Sequence, residues 1–255
     1  NAAELDIVYC HYGERDRSVG ASYRQYFGMV QMDMEAGDAY NGLTIAHETL
    51  HGVQGGQPEL RISWDKSLEN NLRTALYQEA AASIVEVVVA FEAMKKGDLQ
   101  LWRYIFSEPL SGTANWQSEA RAFQKSFNGF LAQGIPEREA KERAASVAFE
   151  EKFKNKSWRE FYLTRQIAYL GMLYDTRYFD MADKSKPMGA EISNEVVSAA
   201  GWLAADYSLT RYAREPTLAQ IFDGLPDLRH AFDALEFARL RRAYGAEDIR
   251  VVESR

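Results

Sequence analysis

Cysteine is almost missing: the 255 residues hold one, Cys10. No internal disulfide framework can form, and a reducing compartment is compatible with the chain though not required by it. A basic excess is missing as well. Lysine and arginine total 30 against 37 aspartates and glutamates, which gives a net charge of -7 and a pI near 5.3. That balance argues against a nucleic-acid partner. The densest basic cluster, ARLRRAYG from Ala238 to Gly245, reads as the solvated face of a helix end. The longest apolar run lies in SIVEVVVAF and is cut by Glu86, so no membrane span is expected. No signal peptide is legible. The chain opens at Asn1 rather than methionine, which leaves an upstream targeting segment, and the cellular address, open.

Several catalytic signatures are missing too. There is no G-x-S-x-G elbow, no phosphate-cradling glycine loop and no paired-cysteine deaminase motif. Cys10 and His11 are adjacent, and on a strand they point to opposite faces, so they cannot form a thiol–imidazole dyad. No internal repeat or low-complexity tract is visible.

What is present is a short β-rich start followed by helical patterning. LDIVYC (Leu5 to Cys10) reads as a strand, and YFGMVQMDM (Tyr26 to Met34) as a second. From Leu43 the apolar positions take a helical spacing, with Ile45, Ala46, Thr49, Leu50 and Val53 on one side and glycines 52, 55 and 56 as the stop. A long helix is expected from about Ser67 to Lys96. Further helices are expected over about 99–107, 114–133, 136–154, 158–174, 193–211, 217–222 and 228–244. The segment 177–193 is the longest irregular stretch and reads as a connector, with a lid as the other reading. The fold class expected is mainly α with a small β element (α+β), in a single domain over 1–255.

The chain has only four histidines, and two of them stand in LTIAHETLHGVQGG. His47-Glu48-Thr49-Leu50-His51 fits H-E-x-x-H. On a helix, residues i and i+4 share a face one turn apart, so two imidazoles can reach one zinc ion at about 2.0–2.1 Å. Zinc lowers the pKa of its water toward about 7, and Glu48 stands where a general base can take the proton. Random placement of these residue types would produce the pattern with a probability of about 0.6 %, low enough to set chance aside. A hydrolytic zinc needs a third protein ligand and an open position. Glu79 ranks first: it sits 28 residues after His51 on a helix face made of Ala75, Leu76, Ala80 and Ser83, where an unpaired carboxylate is costly to bury. Glu86, two turns on among valines, ranks second and reads also as a structural partner. Asp65 ranks third and reads as a helix cap.

His47-Glu48-x-x-His51 followed by Glu79 on an alanine-rich helix resembles the gluzincin arrangement of thermolysin-like peptidases. The stretch from Tyr26 to Met94 also resembles a bacterial domain family of unknown function regarded as metallopeptidases. The rest of the chain carries no resemblance. The metzincin extension does not fit, because its glycine and third histidine fall on Gln54 and Gln57. In thermolysin-like enzymes an aspartate four residues after the third ligand orients a histidine; here that position is Ser83. The resemblance implies a zinc-dependent hydrolase acting on a peptide or protein substrate. His47, His51 and Glu79 would hold Zn2+, and Glu48 would act as base. Residues 1–97 would form a zincin-like catalytic core, and 98–255 a helical region completing the cleft. His230 or a tyrosine such as Tyr174 would supply an oxyanion donor, with His230 reading also as an ordinary surface or capping residue. The strand around Gly28 to Met34 reads either as a cleft rim that pairs with substrate backbone or as a core strand with both edges paired. The alternative is a helical binding or regulatory module with a structural or vestigial metal site.

Overall fold

A computed structural model describes residues 6–10, 21–24, 29–33, 37–62, 66–107, 116–175, 194–204 and 206–244. The chain is mainly helical with a small β element, as expected. It begins with three short strands, β1 (Asp6–Cys10), β2 (Ala21–Arg24) and β3 (Met29–Asp33). The sheet order is β1-β3-β2, with β1 parallel and β2 antiparallel to β3. Side chains alternate along a strand, and Val30 and Met32 share the face that packs on Ile45 of the next helix.

That helix, α1, runs Asp38–Gly55 and carries the H-E-x-x-H motif. It starts one turn earlier than its apolar pattern suggests, with Gly37 as N-cap. A short 3-10 turn, Pro58–Leu60, leads toward α2 (Leu68–Lys95). Ser67 caps α2 by accepting the Asn70 N–H at 3.1 Å. By length and hydropathy α2 is long enough to cross a bilayer, because helical continuity carries it past the break at Glu86. Its most apolar window is 83 % buried among the other helices, as suits a core helix.

The remaining elements pack around α2. They are α3 (Gln100–Phe106), α4 (Gln117–Ala132), α5 (Glu137–Lys152), α6 (Lys156–Asp175) and α7 (Asn194–Ala200). A hairpin follows, β4 (Trp202–Ala204) and β5 (Tyr207–Ser208), then α8 (Leu218–Ile221) and α9 (Pro226–Tyr244). One apolar cluster extends from Leu43 to Phe232. Ala80, Ala81, Ala82 and Ser83 are buried, and such small side chains let neighbouring helices come close to α2.

One expectation is corrected and one choice of readings is decided. The helix read over 193–211 ends at Ala200, and the chain turns into the β4–β5 hairpin. Gly201 follows the helix, and a Cβ there would lie 2.6 Å from Thr210 Oγ1, so glycine is what lets the backbone pass this close to Thr210 as it turns into the hairpin. Of the two readings of the strand around Gly28 to Met34, the structure has the core strand: β3 is central and paired on both sides. It has no free edge to give. Among the described strands, the edge strands that pack on α1 are β2 of this sheet and β4 of the hairpin. The segment 177–193, and with it the choice between lid and connector, lies outside the described residues.

Candidate metal centre

The site is built where α1 crosses α2. His47 and His51 stand one turn apart on α1, with ring centroids 4.8 Å apart. Glu79 comes from the middle of α2. Its Oε2 lies 3.5 Å from His47 Nε2 and 3.6 Å from His51 Nε2. One donor atom from each of the three residues falls within 4.8 Å of the others. These separations are long for a hydrogen bond, which prefers about 2.7–3.2 Å. Two ligands each about 2.05 Å from a tetrahedral zinc would lie about 3.3 Å apart, so the spacing fits an ion between them. Among the described residues, no fourth histidine, cysteine, aspartate or glutamate joins the group.

Each imidazole is braced on its other nitrogen. His47 Nδ1 faces Glu86 Oε1 at 3.4 Å. Glu86 is itself held by Trp116, whose indole Nε1–H donates to Glu86 Oε2 at 2.5 Å. Indole nitrogen only donates, so Glu86 accepts, and a carboxylate in that role favours a proton on His47 Nδ1 and a free lone pair on Nε2. His51 Nδ1 lies 2.7 Å from Gln54 Oε1. The Gln54 amide in turn donates to Ala200 O at 2.6 Å and Gln78 O at 3.3 Å. The side chains of His47, His51 and Glu79 are 12, 17 and 21 % exposed, whereas Glu86 is 6 % exposed. The three converging side chains thus keep a small exposure, and Glu86 behind His47 is nearly sealed.

Charge dominates the protonation of the group. Burial pulls the His47 pKa down, but the Glu86 and Glu79 carboxylates more than offset it and hold it well above the usual imidazole range. His51 is raised in the same way, with Glu79 outweighing burial and the neighbouring His47. Burial would raise Glu79, yet the two histidines hold its carboxyl well below the usual range. Glu48 is buried next to them. Its charge acts on His47, His51 and Tyr162, which places it within electrostatic reach of the centre although it is outside the converging set.

Of the sequence-derived candidates, His47, His51 and Glu79 come together, and Glu48 lies beside them. Glu86 meets His47 from behind, on the nitrogen away from Glu79. Its place two turns beyond Glu79 supplies the carboxylate that Ser83 lacks. Asp65 and His11 lie outside the described residues, and Tyr174 is described in its backbone only. His230 is exposed on α9, a helix that packs chiefly against α6. A different tyrosine, Tyr162 on α6, feels the charges of this group. Burial together with the Glu79 and Glu86 charges raises its pKa well above the usual phenol range, which places it within electrostatic reach of the centre. Sequence reasoning missed Tyr162, Trp116 and Gln54. Gln54, at i+3 from His51, was legible by helix spacing; the other two reach the site only through long-range packing.

A cavity of about 600 Å³ between α5, α6 and α8 is lined by Glu150, Phe153, Arg159, Arg214, Glu215 and Asp223 and includes none of the motif residues. Its most buried cation, Arg159, is spent on the carbonyls of Gln220, Ile221 and Asp223.

No family model, no curated protein and no solved structure matches the chain. The gluzincin resemblance therefore rests on the residues of the motif and on the geometry around them.

Proposed function

We propose that the protein is a zinc-dependent hydrolase, a metallopeptidase in which His47, His51 and Glu79 hold the ion. The observation that carries this reading is the convergence of His47 Nε2, His51 Nε2 and Glu79 Oε2, with the far nitrogen of both rings braced. Three protein donors with no fourth among the described residues are the pattern of a hydrolytic site; a purely structural zinc closes its shell with four protein ligands. A zinc ion held there supplies Lewis acidity and acidifies a water molecule.

The chain's own residues then divide the work. Glu48, buried beside the centre, accepts the proton from the attacking water and returns it to the leaving amine. Tyr162 Oη–H donates to the oxygen of the carbonyl under attack. Glu86 and Gln54 keep the rings aimed. The test is cleavage of an unstructured protein such as casein by the zinc-loaded chain, compared with Glu48→Gln. That substitution keeps shape and hydrogen-bonding reach but accepts no proton. The expected result is retained zinc with hydrolysis lowered by at least about a hundredfold. Equal turnover in the two proteins removes Glu48 from the role. A zinc-loaded wild type without hydrolysis of any peptide favours the binding or regulatory module.

A further inference from the structure

Gln54 is a polar side chain with no place in the H-E-x-x-H motif, yet it is 1 % exposed and every hydrogen-bonding end of it is used. Its amide nitrogen faces two backbone carbonyls, Ala200 O at 2.6 Å and Gln78 O at 3.3 Å. Carbonyls only accept, so the NH2 end must point at them, and the oxygen end must point at His51 Nδ1, 2.7 Å away. An amide oxygen only accepts. His51 Nδ1 must then carry a proton, and in the neutral ring, the form that ligates an ion, the lone pair is on Nε2, on the side of Glu79. The tautomer of one candidate ligand is thus set by carbonyls on two other elements.

One of those carbonyls belongs to a unit that the motif does not touch. Ala200 ends α7, and the chain there is stapled to the β4–β5 hairpin. The Leu209 N–H donates to Gly201 O at 3.0 Å, Thr210 Oγ1 to Val197 O at 2.5 Å and Ser208 Oγ to Ser198 O at 2.8 Å. Ala200 O is therefore held by a rigid turn, and Gln54 is the link between that turn and His51.

We propose that Gln54 is a positioning residue that fixes the His51 ring for the ion and couples metal loading to the seating of the α7–β4 turn. The inference rests on the metal reading above. Coupling of this kind is reciprocal: if a seated turn favours the ion, the ion favours a seated turn to the same degree.

The test uses the full chain with zinc chloride as the probe, and two variants. Gln54→Met keeps the volume and removes both polar ends. Gln54→Glu keeps an acceptor toward His51 and removes the donor toward Ala200. Zinc affinity is expected to fall about 10- to 100-fold in Gln54→Met and by less in Gln54→Glu. In the wild type, zinc is expected to slow hydrogen exchange at the Gly201 and Leu209 amides, and this slowing disappears in both variants. The nitrogen-15 spectrum of zinc-loaded wild type is expected to show a proton on His51 Nδ1. The exchange and spectral readouts need no variant, so they decide the matter even where a variant fails to fold. Zinc without effect on the two amides, ligation through His51 Nδ1, or wild-type affinity in Gln54→Met overturns the inference alone. A wild type that takes up no zinc overturns the metal reading and this inference together.

Discussion

His47 and His51 hold protons more tightly than free imidazole does, because Glu86 and Glu79 stand beside them. An ion at this site has to displace those protons. The metal-free protein then binds protons that the loaded protein lacks, so affinity rises with pH and levels off only above the raised imidazole values. We expect the zinc dissociation constant to keep tightening as pH climbs past about 6.5, the ordinary imidazole value. A titration series across pH checks this, and affinity already flat at that pH contradicts it. The metal-free fold follows the same signs. The raised histidines contribute stability that is lost as pH rises through their folded pKa, and the lowered Glu79 contributes stability that is lost as pH falls through its own. This group therefore helps most in the interval between. At the same scale, Tyr162→Phe removes one hydroxyl and little volume. If that hydroxyl serves the reacting carbonyl, kcat falls about 100- to 1,000-fold with zinc content unchanged. A variant with wild-type kcat removes Tyr162 from that role.

Elements bring these side chains together, and the turn after α7 is tightly packed. A Cβ on Gly201 would meet Thr210 Oγ1 at 2.6 Å, Thr210 Cγ2 at 2.9 Å and Thr210 N at 3.0 Å. Thr210 cannot give way easily, because its hydroxyl is tied to Val197 O. Gly201→Ala is expected to cost about 1–3 kcal/mol, measured by urea unfolding of the metal-free chain, and a variant of unchanged stability would show that the turn relaxes freely. This element also marks where the sequence stops being legible. The α1 motif is read from spacing alone, because i and i+4 on a helix need no outside information. Glu79 is legible because a carboxylate among alanines demands a partner. The end of α7 is not, since the contact between Gly201 and Thr210 is made by tertiary packing and not by local pattern. Nor is the pairing of β3, whose neighbours are chosen across the sheet. Trp116 and Tyr162 sit 30 and more residues beyond Glu86, and no local rule points either at the site.

Over the whole molecule, α2 passes through the core and presents Glu79 and Glu86 to α1, so the candidate centre inherits the rigidity of the main cluster. A second polar feature shares that core. Lys152 of α5 meets Glu119 of α4 at 3.2 Å, the two side chains being 1 and 0 % exposed. Removing one partner strands a charge in a dry interior, and Lys152→Met is expected to cost about 3–5 kcal/mol. Pairing it with Glu119→Leu is expected to recover most of that loss in the same unfolding assay; no recovery would mean that packing, not charge, holds the two helices. The central claim is that α1 and α2 together form one zinc site, and it is tested most directly by calorimetric titration of the metal-free chain with zinc chloride. We predict one saturable site in the wild type, lost or weakened by at least about a hundredfold in each of His47→Ala, His51→Ala and Glu79→Ala, all three remaining folded. Absence of saturable binding in the wild type, or the same affinity in all four proteins, would contradict the account.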